Sequence, residues 1–344
     1  MPLTPIVGAA RLRYFQTGKE STFSTAVAAT RRYPWGYTPT IDPHWTFPTG
    51  DTGTLDDAMA PYGTAQDLTI SITGQQLASN DAPTIISAGV MGGLSLTGGG
   101  TSKTLAASPA STSQDVFDTY TVQFGDDATS DAWQFTGAVI NDFKLTYPQD
   151  LGPIQLDANW RGAAVSTYPG TVTGGLSVDA APVWLYGADT TFYVNDSSGT
   201  IEISPLTNIA YGAEITVNNN LDLKRFANGS NTRFAIQNYG RGKRSVTFKL
   251  TGAKQTAWLN EAAKWIAASP TERFFGIKTI SLQTASTGPS VFHSLDFQFP
   301  GYWLTRADQV IGSNTAFDLT SSNIYDVGYG APFKMTSVST RSTL

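Results

Sequence analysis

Between residues 132 and 162 the chain alternates too regularly for most folds to accept it. Trp133, Phe135, Val139, Phe143, Leu145 and Tyr147 share one parity, interrupted only by Gly137 and Asn141. The other parity carries Ala132, Gln134, Thr136, Ala138, Ile140, Asp142, Lys144 and Thr146. A period of two over such a span predicts a long half-buried strand. Pro148, Gly152 and Pro153 then mark a turn, and Ile154, Leu156, Ala158 and Trp160 alternate with Gln155, Asp157, Asn159 and Arg161. Two such arms predict an antiparallel hairpin with one apolar face and one polar face, the latter free for water or a partner.

The rest of the composition fits a mainly β chain with a few helices. At 344 residues it is longer than one sandwich needs, so two domains are expected. Charged residues make up 14%, against a usual quarter, so Gly, Ser, Thr and Asn fill the polar positions. So little charge on so large a surface points to cover by partners. There is no cysteine, which excludes disulfides, thiol chemistry and Cys-based zinc sites, and two histidines exclude a His-rich metal site within one chain. No apolar run opens the chain and none is long enough for a membrane helix, so a soluble product made in the cytoplasm, without membrane insertion, is expected. Charge is uneven: residues 1–190 hold 8 Lys and Arg against 17 Asp and Glu, whereas residues 191–344 hold 14 against 10. An acidic first half and a basic second half suit head-to-tail contacts between copies.

Several elements follow in order. A short strand is expected at 11–15. Residues 34–64 are rich in Pro, Gly and aromatics, and read as an arm packed on its own domain or on a neighbour. A strand at 66–74 leads to a helix at 82–90, capped by Asp81 and begun at Pro83. Residues 98–113 form a low-complexity loop, and 120–124 another strand. The second half repeats the theme. Residues 67–74 read DLTISITG and residues 245–252 read SVTFKLTG, 178 positions later, and a helix is expected after each. The second helix, 254–268, places Trp258, Leu259, Ala262, Trp265 and Ile266 on one face. Strands are expected at 274–283, 291–304 and 333–339. A shorter likeness, Val139-x-Asn141 with Val217-x-Asn219 at an offset of 78, reads as two similar strands rather than a duplication.

Chemical motifs are weak. Gly242-Lys243-Arg244 fails the phosphate-loop spacing, and Gly98-Gly99-Gly100 lacks a dinucleotide context. Asp126, Asp127 and Asp131 suit a hairpin turn better than a calcium loop. No pair of acids is singled out for glycoside hydrolysis, and no Gly-x-Ser-x-Gly elbow occurs. His293 shares the apolar parity of its strand and reads as a core histidine. Arg241, Lys243 and Arg244 are a slight basic cluster in an acidic chain, which disfavours specific DNA binding. Catalytic residues, metals and cofactors are therefore not expected.

The segment YTVQFGDDATSDAWQFTGAVINDFKLTYPQDLGPIQLDANWRG resembles the core of the major tail tube proteins of long-tailed, siphovirus-type bacteriophages. GKESTFSTAVAATRRYPW is similar to the opening of such proteins, and IYDVGYGAPFKMTSVST to their final strands. The resemblance implies β-sandwich or half-barrel domains with a flanking helix, joined edge to edge into rings that stack into a hollow tube through which DNA leaves the capsid. Most members place one such domain in a six-membered ring. Here two tandem domains are expected, 1–190 with the arm 34–64 and 191–344 with the helix near 254–268, so a ring of three chains with pseudo-sixfold symmetry follows. Implied partners are further copies, the tape measure protein, the tail terminator and distal tail or baseplate proteins, in a virion assembled in the host cytoplasm.

A bore that lets DNA slide should not bind phosphates, so a polar, neutral or acidic lumen face is expected, with Gln134, Asp142, Gln155 and Asp157 as candidates. Trp35, Tyr37, His44, Trp45 and Phe47 are the candidates for contact between stacked rings. The competing readings are another tail ring protein, a carbohydrate-binding β-sandwich with exposed Trp, and a glycosidase with two acids in a cleft.

Overall fold

The computed structural model describes residues 13–46, 62–63, 65–90, 92–98, 102–110, 118–127, 131–148, 152–226, 235–285, 291–312 and 314–341. The first half holds β1 (Tyr14–Lys19), β2 (Arg31–Tyr33), β3 (Thr38–Asp42), β4 (Trp45–Thr46), β5 (Tyr62–Gly63), β6 (Asp67–Gln76), α1 (Ala82–Gly89), β7 (Leu94–Thr97), β8 (Lys103–Ala107), β9 (Tyr120–Asp127), β10 (Asp131–Tyr147), β11 (Gln155–Gly162) and β12 (Ala164–Gly170). The second holds β13 (Thr190–Asn195), β14 (Ala210–Asn218), β15 (Leu221–Lys224), β16 (Asn238–Arg241), β17 (Ser245–Ala253), α2 (Thr256–Trp265), β18 (Arg273–Thr284), β19 (Phe292–Ile311), β20 (Asn314–Asn323) and β21 (Lys334–Ser339). The chain is mainly β, with two α-helices among the described residues.

Two strands are long enough to belong to two sheets each. The first part of β10 pairs with β9 and β12, and its second part with β11 and β14. The first part of β19 pairs with β18 and β21, and the remainder with β20. Three sheets result. One runs β2-β1-β9-β10-β12. A second runs β13-β18-β19-β21-β8-β7. The third has eight strands, β3-β6-β11-β10-β14-β17-β20-β19. Among the described residues these pairings branch but never return to their start, so every sheet keeps open edges there.

Each crossing strand bulges where it changes sheet, at Asn141 in β10 and at Leu304 in β19. An extra residue bends a strand and sharpens its twist. In β10 the bend also uses Gly137 at φ 62°, where an added Cβ would lie 2.6 Å from the Ala163 Cβ. The Gly137 amide donates to buried Glu20 at 2.9 Å, and the Tyr239 hydroxyl donates to its carbonyl at 2.8 Å. The sequence pattern gives one continuous half-buried strand. Instead, Phe135 to Ile140 are buried on both faces, because the strand is passing between two layers there.

The pairings repeat. β3-β6-β11-β10 in the first half has the same connections as β14-β17-β20-β19 in the second, and β1-β9-β10-β12 the same as β13-β18-β19-β21. The registers agree. Ile70 faces Trp160 as Phe248 faces Ser321, and Thr40 faces Thr69 as Thr216 faces Thr247. Thus β6 and β17 correspond at the 178-residue offset legible in the sequence, and a helix follows each. The 78-residue likeness has another meaning: Asn141 and Asn219 lie against each other where β10 meets β14.

One apolar core runs through both halves. Phe15, Tyr33, Trp35 and Tyr37 pack near Trp160, and Phe248, Phe275, Phe299 and Trp303 form the corresponding cluster. All eight residues of α1 are buried, so it is a core helix, and Asn219 Nδ2 donates to its terminal Gly89 carbonyl at 2.6 Å. Asp81 makes no side-chain cap bond. Its carboxylate is taken by Arg31, with Nε at 3.0 Å and Nη2 at 2.5 Å, because a buried charge needs its partner more than the helix needs a cap. The second helix starts two residues later and ends three residues earlier than its apolar periodicity indicates, and buries only Trp258, Glu261 and Ala262.

Candidate assembly edges and polar face

The side chains of the eight-stranded sheet divide cleanly. One side belongs to the core. The other presents Thr38, Thr40 and Asp42 on β3, Thr69 and Ser71 on β6, Asn159 on β11, Asp142 and Lys144 on β10, Thr216 on β14, Thr247 on β17, Thr320 on β20 and Thr305 on β19. Hydrogen bonds stitch this face together: Ser71 Oγ donates to Asn159 Oδ1 at 2.8 Å and Asn159 Nδ2 to Asp142 Oδ1 at 2.6 Å. Among the described residues its acids are Asp42, Asp67, Asp142, Asp157, Glu214 and Asp318, against the cations Lys144, Arg161 and Lys249. Both lysines are ion-paired, Lys144 with Asp157 at 2.8 Å and Lys249 with Asp318 at 3.2 Å. The hydrogen bond to Asp157 raises the Lys144 ammonium above its ordinary value, opposed by partial burial.

Asp142, Gln155 and Asp157, three lumen candidates of the sequence, stand together on this face. Gln134 does not. It lies on the first part of β10, opposite Gln123 and Thr167 in the five-stranded sheet, because β10 changes sheets after it. The aromatic candidates also separate. Trp35 and Tyr37 are buried, 4% and 5% exposed, stacked into the core beside Tyr33 and Phe124, and so offer no surface to a neighbouring ring. Trp45 is 59% exposed. His44 stands beside it, its Nε2 2.8 Å from Asp67 Oδ2. Burial pushes the Asp67 carboxyl up, but the hydrogen bonds from Arg225 and His44 outweigh it and hold the group below its usual value. Phe47 lies outside the described residues.

The eight-stranded sheet has two ends. At one, β3 pairs only with β6. At the other, residues 305–311 of β19 pair only with β20. Among the described residues nothing pairs with the outer side of either. In the middle, β10 meets β14 in an uninterrupted six-residue ladder, from Asp142 opposite Asn218 to Tyr147 opposite Ala213. The sequence pattern misses the second edge: its expected strand ends at Leu304, and the polar run after it carries no alternation.

Other groups are accounted for by packing. Ser79 Oγ and His293 Nδ1 are 2.7 Å apart, but both residues are buried, 0% and 2% exposed, and burial lowers the imidazole. A surface hollow of about 950 Å³ lined by Lys243, Arg244, Asn323 and Tyr325 includes no carboxylate among the described residues. Among the described residues no group of three His, Asp or Glu is placed to hold a metal, and no helix is long and apolar enough to cross a membrane. No protein-family model matches the chain, and no curated protein matches it in sequence.

Proposed function

We propose that this protein is a self-assembling structural subunit whose copies join edge to edge into a closed ring, and that the rings stack into the hollow tail tube of a long-tailed bacteriophage. The observation that carries the reading is the eight-stranded sheet. It is two four-stranded repeats joined at one seam, with an unfilled edge at each end. An interface between unlike surfaces closes into a ring when its rotation divides a full turn. Two repeats per chain make three chains sufficient for pseudo-sixfold closure.

The polar face would then line the bore. Its excess of acids and its paired lysines suit passage of DNA, because free cations would hold phosphates by releasing counterions. The segment from His44 and Trp45 onward remains the candidate for contact between rings. The test is negative-stain microscopy with analytical sedimentation on the purified chain. Annular particles with threefold symmetry, stacking into tubes of uniform bore, are expected. Single rings that never stack favour another tail ring component, and a monomer at every concentration overturns the proposal.

A further inference from the structure

We infer that β3 of one copy adds to residues 305–311 of β19 in the next copy, in the register of the internal β10–β14 seam. The inference deepens the assembly reading and rests on it, but its content comes from the internal repeat. β14 occupies in the second repeat the place of β3 in the first, since Thr216 faces Thr247 as Thr40 faces Thr69. The second part of β10 corresponds to that of β19, with the bulges at Asn141 and Leu304 aligned. The seam already built inside the chain is therefore a template for one between chains. Opposite Lys144 stands Thr216, and opposite Phe143 stands Val217. Transferred, Ala307 stands opposite Thr40 of the next copy and Arg306 opposite Ile41. Asp308 and Gln309 then meet Pro39 and Thr38.

Both edges carry matched departures at one position. In the internal seam the Asn219 amide donates to the carbonyl of the bulged Asn141 at 2.8 Å. The counterpart of Asn219 is Pro43, which has no N–H to give. The counterpart of the Asn141 carbonyl is that of Leu304, and it is already taken by the indole N–H of Trp265 at 2.9 Å. A donor is missing from one edge and its acceptor is satisfied on the other. Two unrelated surfaces have no reason to agree in this way.

The same comparison shows why free subunits would not pair indiscriminately. Backbone N–H groups alternate sides along a strand, so the Asn219 bond assigns the amides of Val217 and Ile215 to the seam. Their counterparts are Ile41 and Pro39. With Pro43, just past the end of β3, this leaves Ile41 as the one donor among these three counterparts. Proline and charge on an exposed edge are known guards against unwanted strand addition. On the other edge Arg306 and Asp308, 2.9 Å apart, replace the buried Phe143 and Leu145. Ring closure, in which each weak seam is supported by the others, overcomes what a single pairing does not.

The absence of natural cysteine makes the register directly measurable. The alternation makes Thr40 and Ala307 a pair without direct backbone hydrogen bonds, whose Cα atoms lie about 4.5 Å apart, within disulfide reach. Both positions are exposed. A chain carrying Thr40→Cys and Ala307→Cys is assembled, oxidised and run on a denaturing gel beside one carrying Thr38→Cys and Ala307→Cys. Covalent dimers and trimers are expected from the first, at least tenfold more than from the second. Equal or reversed yields, with annular particles of wild-type protein in the microscope, overturn this seam but leave the assembly reading standing. A wild-type chain that stays monomeric, with no cross-link from either variant, overturns both.

Discussion

Asp296 shows most sharply what single side chains do in this fold. It lies on β19 between Lys278 and Thr336, and shares a polar layer with Glu202 and Gln298. Burial first, and then the adjacent Glu202 carboxylate, push it up to about 8. Glu202 is pushed up by its own burial but held below its usual value by Lys278, whose Nζ is 2.5 Å away, and by Asp296 and Gln298. One proton thus sits between two carboxyl groups against one ammonium. The folded chain keeps the Asp296 proton up to about pH 8, whereas the unfolded chain releases it near the ordinary 3.8. Between those values the folded state binds the extra proton, so this group's contribution to stability falls as pH rises and levels off above 8. Asp296→Asn keeps a donor toward Glu202 and removes the titration. Its melting temperature is expected to exceed that of wild type by a margin that grows by about 2–4 °C between pH 5 and pH 8.5. An unchanged pH slope in thermal unfolding rules out this role. None of this pairing was legible in the sequence, since Glu202 and Asp296 are brought together only by the loop after β13.

The elements that were legible are those with a neighbour on each side and water on one face. The expected strands at 132–147 and 154–161 became β10 and β11 almost residue for residue, because alternation records burial. It failed where burial is not alternating. Ahead of its bulge β10 is enclosed on both faces, and residues 305–311 of β19 are half-open on both. Likewise Trp35 and Tyr37 read as an arm because prolines surround them, and composition does not say which way an aromatic ring turns. In β3 those prolines have a positional meaning that appears only once the strand is seen at an edge. Pro39→Val restores an outward amide opposite Asp308 at a half-buried position, and β-branched residues favour strands. Assembly is expected to begin at a several-fold lower protein concentration, followed by light scattering. A threshold equal to or above that of wild type counts against the guard.

At the scale of the whole molecule, the repeat and the charge distribution address the same question. The first half carries 8 basic against 17 acidic residues and the second 14 against 10. The two repeats meet inside the chain along β10 and β14, and β7 and β8 of the first half extend the sheet of the second through β21. A ring built from such chains alternates acidic and basic repeats, so each seam between chains joins unlike halves as the internal one does. Complementary fields of this kind act mainly on encounter rate and on the choice of partner. They are screened beyond about 10 Å at 0.1 M salt and beyond about 3 Å at 1 M. The internal seam is held by a shared apolar core and is expected to be insensitive to this; the proposed seam between chains, with Arg306 and Asp308 where the internal one has Phe143 and Leu145, is expected to be sensitive. Raising salt from 0.05 to 0.5 M, on the order of the range over which screening changes most, is expected to slow ring formation at least tenfold while the monomer's denaturant midpoint stays put. Stopped-flow scattering measures the first and circular dichroism the second. Assembly at the same rate across that range shows that charge complementarity between the halves has no part in bringing copies together, and leaves backbone pairing at the open edges to act alone.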